Sequence, residues 1–182
     1  MSRPSFQRYF LDIAEAAARR ADCTRRRIGA VLVDTDRRII STGYNGAPSG
    51  VPGCLSAGAC PRGRHYRTGE RGEVADLFAK CACGDPWPCV SSVEHGSSYD
   101  TGAGSCIAIH AEQNAILYAR ASLVGATMYV TDEPCDGCRR LMHAARICDV
   151  VYTLGGKGGS VIGYDFETGE GHVIAYRSTE LE

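Results

Sequence analysis

The chain has 182 residues, 44% of them apolar and 23% charged, with a formal net charge of −1. That length supports one domain with a real core. The balance excludes the basic footprint of a protein that grips long nucleic acid, and no apolar run reaches the roughly 17–25 residues that span a bilayer. The start of the chain, Met1-Ser2-Arg3-Pro4, lacks the apolar core of a signal peptide, so a cytoplasmic protein is expected.

In chain order, Ser5 to Ala21 carries Phe6, Phe10, Ile13, Ala14 and Ala17 at helical spacing, with Ser5 as its cap. Ile28 to Val33 reads as a strand, Asp34-Thr35-Asp36 as a turn, and Arg38 to Thr42 as the returning strand. Gly43 to Gly50 is a loop by composition. Residues 51–105 are rich in Gly, Cys and Pro, with one short helical stretch at Glu73 to Lys80. So long a segment without clear period is unusual in a compact domain, and bound metal offers a way to pin it. Regular pattern then resumes. It gives a helix at His110–Ala121, a strand at Ala126–Thr131, a helix at Asp136–Ala145 and a strand at Asp149–Thr153. A hairpin with arms Ser160–Tyr164 and His172–Tyr176 follows a Gly-rich turn at 155–159. Strand–helix alternation in the second half implies parallel pairing with crossover helices, and so a mixed sheet covered by helices. Residues 1–182 are expected to form one domain, with 51–105 inserted.

Ten cysteines stand at 23, 54, 60, 81, 83, 89, 106, 135, 138 and 148. In a cytosolic chain such usage points to metal or catalysis rather than disulfides. His110-Ala111-Glu112 and Pro134-Cys135-Asp136-Gly137-Cys138 supply one imidazole and two thiolates at the starts of two predicted helices. Three protein ligands leave an open position on a zinc ion, as catalytic zinc requires. Glu112 is then left to shuttle protons. His-x-Glu followed by Pro-Cys-x-x-Cys is the signature of zinc deaminases. The bland alternative is a closed structural zinc with a fourth ligand from elsewhere, Glu112 being a first-turn helix acid.

The chain resembles the cytidine deaminase superfamily, and within it the deoxycytidylate (dCMP) deaminase family. The matching stretches are Cys23–Val31, Ser41–Gly50 (Gly-Tyr-Asn-Gly-x-Pro-x-Gly), His110–Leu117 (His-Ala-Glu-x-Asn-Ala-Ile), Gly125–Thr131 and Pro134–Cys138. The resemblance implies an α/β, three-layer cytidine deaminase-like fold: a mixed five-stranded sheet flanked by helices, with a Cys-rich metal-binding insertion. It implies a catalytic zinc on His110, Cys135 and Cys138, with Glu112 as the proton shuttle. It further implies that Asn45 bonds the sugar hydroxyl, that the Ala111 amide faces the pyrimidine carbonyl, and that carbonyls just before Pro134 receive the amino group. Asn45 as a mere turn residue is the alternative. Arg25, Arg26, Arg27 and Arg120 are candidates to hold a phosphate, or else solvated surface residues.

Relatives from bacteria and phages carry extra cysteines whose places here are Cys23, Cys54 and Cys106, with Cys60 as a fourth. Four thiolates would make a structural zinc; free buried thiols are the alternative. Cys81, Cys83 and Cys89, with His95 (or His65), are candidates for a third zinc, at a non-standard spacing. Cys148 reads as a core residue and His143 as a packing or surface residue.

The resulting expectation is hydrolytic deamination of dCMP to dUMP and ammonia, with possible effectors dCTP and dTTP and a homo-oligomer, a hexamer by resemblance. The alternatives are another cytosine compound (CMP, modified dCMP, cytidine or the free base) or an inactive zinc-stabilised interaction module. A tRNA substrate sits poorly with the near-neutral charge.

Overall fold

In a computed structural model of the protein, residues 3–23, 26–56, 106 and 108–153 are described, together with the backbone of 161–165. Cys60, Cys81, Cys83, Cys89, His95, Arg25, the 155–159 turn and the His172–Tyr176 arm lie outside them. The chain divides into two compact units. One comprises Met1–Ala21, Ile28–Asn45 and His110–Glu182; the other comprises Asp22–Arg27 and Gly46–Ile109.

The first unit opens with α1, Phe6–Ala18. Ser5 caps it, its Oγ accepting from the Arg8 N–H at 3.2 Å, which satisfies one of the donors a helix start leaves open. Strand β1 (Gly29–Val33) pairs antiparallel with β2 (Ile39–Tyr44) on one side and with β3 (Thr127–Val130) on the other. Strand β3 pairs parallel with β4 (Asp149–Thr153). These four make a mixed sheet, and β5 (Val161–Asp165) adds an antiparallel edge to β4. Strand β2 runs two residues further than expected, taking in Gly43 and Tyr44, because their backbone continues the ladder opposite Ala30 and Gly29.

Both faces of the sheet are buried. Val31, Val33, Tyr129 and Val151 pack against Phe10, Leu11 and Ala14 of α1. The alternate residues Ala30, Leu32, Met128, Val130, Val150 and Tyr152 pack against Ala111 and Ala115 of α2 (Ala111–Leu117) and Cys138 and Met142 of α3 (Asp136–Ala144). This is the period-2 alternation of strands covered on two sides, and it yields three layers. Two glycines set how closely the helices sit. A Cβ at Gly29 would lie 1.9 Å from the Ala14 carbonyl oxygen, and one at Gly43 would lie 2.1 Å from that of Ala111.

Strand direction then places the site. Strands β2 and β3 are each antiparallel to β1, so they point the same way. Helix α2 follows β2 across the insertion, and α3 follows β3 directly. Both helices therefore start beyond the C-terminal ends of co-directed strands, at one edge of the sheet. Helix α2 is shorter than expected, ending at Leu117, with Ala119 turning its N–H to the Ile116 carbonyl. Arg120 stands beyond that end, exposed.

In the second unit, Gly46 and Ile109 exchange two backbone hydrogen bonds, at 3.2 and 2.9 Å. Cys23 and Cys54 are buried there, and Cys106 is half-buried.

Candidate active site

His110 is the N-cap of α2 and Cys135 the N-cap of α3, with Cys138 one turn on. The start of α2 is held by Gln113, whose Oε1 accepts from the His110 N–H at 2.9 Å. His110 Nδ1 lies 3.6 Å from Cys135 Sγ and 3.4 Å from Cys138 Sγ. A tetrahedral zinc with ordinary Zn–N and Zn–S bonds separates neighbouring N and S ligands by about 3.6 Å. Among the described residues, this is one group of His, Cys, Asp or Glu ligand atoms that all lie within 4.8 Å of one another. The donor set, a ring nitrogen and two sulfurs, suits zinc.

Glu112 is 3% exposed, in the first turn of α2. Burial raises its carboxyl pKa to about 7; its own backbone N–H and the Cys138 thiol oppose the rise, and Asp132 adds to it. Burial also pushes the Cys138 thiol up, and the charges of Glu112 and Cys135 push it further. So buried a position favours the neutral forms of both groups, and a bound cation would favour the charged ones.

Asn45 follows β2 and is 3% exposed. It is not a turn residue. Its Oδ1 accepts from the Ile28 N–H at 2.8 Å, and its own N–H donates to the Ile28 carbonyl at 3.1 Å. It thus extends the β1–β2 pairing by one residue. At the end of β3, Thr131 does the same job. Its Oγ1 accepts from Gly29 N–H at 3.1 Å, and its carbonyl accepts from Thr153 Oγ1 at 2.7 Å. These bonds brace the segment that leads through Pro134 to Cys135. Arg139 and Glu133 form an ion pair of 2.6 Å beside it.

A family model described as the cytidine and deoxycytidylate deaminase zinc-binding region matches residues 4–154. The chain belongs to this deaminase family. It is a zinc-dependent hydrolytic deaminase, consistent with the ligand group above. The family member is 44% identical over 153 residues to the deoxycytidylate deaminase of Mycobacterium phage D29, covering 84% of this chain and 97% of that relative. It is 36% identical over 152 residues to the deoxycytidylate deaminase of Schizosaccharomyces pombe, covering 82% of this chain but only 37% of the longer relative. A solved dCMP deaminase from the cyanophage S-TIM5, in complex with dCMP and dUMP, shares its fold with a TM-score of 0.51 and 22% identity over 85% of each chain.

Within this deaminase, His110, Glu112, Cys135, Cys138, Asn45 and Ala111 all belong to the first unit, whereas Arg26 and Arg27 are exposed in the second. Arg120 stands past the opposite end of α2 from His110. His143 is exposed on α3; Cys148, expected in the core, is half-buried. Several residues of consequence escaped the sequence reading. Asp22 is one: burial raises its pKa, but hydrogen bonds from Ser56 and from the Leu55 and Gly53 backbone bring it below the usual value. It gathers the turn that carries Cys54. Ser41, Asn114 and Thr131 are others. Asn114 lay within a quoted motif, yet nothing in the motif says which backbone group it meets.

Proposed function

We propose that this deaminase converts dCMP to dUMP and ammonia. The observation that carries the reading is the convergence of His110, Cys135 and Cys138 beside a buried Glu112, in a chain 44% identical to a deoxycytidylate deaminase. Zinc, when bound, supplies the Lewis acidity that makes a water molecule a nucleophile near neutral pH. Glu112 takes a proton from that water and passes it to the ring nitrogen beside the amino-bearing carbon. The new C–O bond makes the amino-bearing carbon tetrahedral. Glu112 then takes the remaining proton from the hydroxyl on that carbon and delivers it to the amine; the C–N bond breaks, the carbonyl forms and ammonia leaves. A carboxyl with a pKa of about 7 suits both directions of transfer.

Asn45 contacts the sugar hydroxyl; its burial and its fixed Oδ1 support a side chain held in one pose. The N–H of Ala111, first residue of α2, has no partner within its own helix and so is suited to the pyrimidine carbonyl oxygen. Carbonyls before Pro134 receive the amino group. The phosphate falls to Arg26 or Arg27, both exposed and cationic; the position of Arg120 supports that role least. We take residues 1–182 as one cytoplasmic deaminase domain with a five-stranded sheet and a Cys-rich insertion at 51–105. A second zinc on Cys23, Cys54, Cys60 and Cys106 draws support from the burial of Cys23 and Cys54. A third on Cys81, Cys83, Cys89 and His95, the dCTP and dTTP effectors, and the hexamer rest on the sequence reading.

The test is ammonia release by zinc-loaded protein from dCMP, CMP, deoxycytidine, cytidine and cytosine. The expected result is turnover of dCMP well above the other four. Preference for another member of the panel would reassign the substrate, and no release from any would leave the zinc-stabilised interaction module.

A further inference from the structure

Strand β2 and helix α2 are tied together at three points. Gly43 lets the α2 backbone come within contact of the strand, since any Cβ there would strike the Ala111 carbonyl and the Ala115 N–H. Ser41 Oγ donates to the Ala115 carbonyl at 2.6 Å, serving an oxygen in the last turn of the helix. In the other direction, Asn114 Nδ2 donates to the Tyr44 carbonyl at 2.7 Å. Tyr44 C=O belongs to the peptide that joins Tyr44 to Asn45. Its orientation therefore sets where the Asn45 Cα stands. Two hydrogen bonds to Ile28 hold Asn45 from the β1 side, and Asn114 holds the preceding peptide from the α2 side. Asn is a mediocre helix former, because its amide competes for backbone groups. Placed in the middle of a seven-residue helix, it costs helix propensity and supplies instead a bond across to the strand. Asn114 is also two residues beyond Glu112, on the same rigid element.

We propose that Asn114 is a positioning residue: by holding the Tyr44 carbonyl, it fixes the distance between Asn45, just past the end of β2, and Glu112 on the helix, so that substrate held by its sugar presents the ring to the proton shuttle. This rests on the reading of Asn45 as the sugar contact. Asn114 stands outside the His110, Cys135 and Cys138 group and spends its side-chain donor on the Tyr44 carbonyl, so its loss leaves the zinc ligands in place and acts through Asn45.

The test is a double-mutant cycle on zinc-loaded protein, read as KM and kcat for dCMP with zinc content measured on each variant. Asn114→Ala is expected to raise KM roughly tenfold, with a smaller fall in kcat and unchanged zinc per chain. Asn114→Asp, of the same size but without the donor, is expected to behave likewise, and it serves if the alanine variant folds poorly. In an Asn45→Ala background, Asn114→Ala is expected to change KM less than about twofold, because the contact it positions is already gone. Additive effects would overturn the proposal and leave Asn114 a general brace of the helix; so would an unchanged KM in both single Asn114 variants. Wild-type protein that releases no ammonia from dCMP would refute the substrate reading itself. An Asn45→Ala variant with wild-type KM would refute the sugar contact and, with it, any action of Asn114 through Asn45.

Discussion

Burial is the dominant influence on Glu112. At 3% exposure its carboxyl keeps its proton to about pH 7, against 4.5 when exposed. The folded chain therefore binds one proton more than the unfolded chain between those values. Stability from this group is fully present below about pH 4.5 and is lost as pH rises through about 7, by at most about 3 kcal/mol. In zinc-depleted protein, Glu112→Gln is expected to remove that part of the pH dependence, measured as the difference between parent and variant in urea unfolding at pH 5 and pH 8. With zinc present, the same variant is expected to keep its metal and lose about 10²–10⁴-fold in turnover, read by ammonia release beside metal analysis. The grouping of His110, Cys135 and Cys138 was legible because metal ligation demands particular side chains at fixed local spacing. The contacts of Asn114 and Ser41 were not, because each meets a backbone group 70 or more residues away in sequence.

The elements carry marks of how closely they must pack. Gly43→Ala is expected to push α2 away from β2 and to lower both thermal stability and zinc retention, since the obstructing atoms are backbone and cannot rotate aside. Circular dichroism with metal analysis reads both; a variant with wild-type melting and zinc would refute the tight contact. Helix α3 ends in a Schellman turn. Arg146 N–H bonds the His143 carbonyl at 2.9 Å, Ile147 N–H bonds that of Met142 at 3.1 Å, and Ile147 is buried. The turn requires a left-handed residue, and Arg146 takes it with φ 60° where glycine is the usual occupant. Arg146→Gly is expected to stabilise the protein by about 1 kcal/mol, measured by denaturant unfolding. The sequence pattern located the three helices α1 to α3 and the four core strands. It missed the true ends of β2 and α2, because the ladder past Gly43 and the stop at Leu117 depend on partners outside each segment.

At the scale of the whole molecule, metal content separates the readings of the ten cysteines. The site on His110, Cys135 and Cys138 is expected to hold one zinc per chain, and removing it with a chelator to abolish turnover that added zinc restores. Cys135→Ala is expected to lower the zinc count by one and to leave any second or third zinc bound; loss of all metal together would show a single linked site. The sequence by itself determined the reaction class, because a zinc deaminase is defined by a few side chains at fixed local spacing, and it determined the alternation of strands and helices. Only the tertiary structure decided how the site is assembled. Co-directed β2 and β3 bring two helix starts to one edge of the sheet, and burial retunes Glu112. Asn114 ties the end of β2, at the Tyr44 carbonyl, to the helix that carries Glu112. Each of these depends on contact between segments far apart in the chain, which no local spacing encodes.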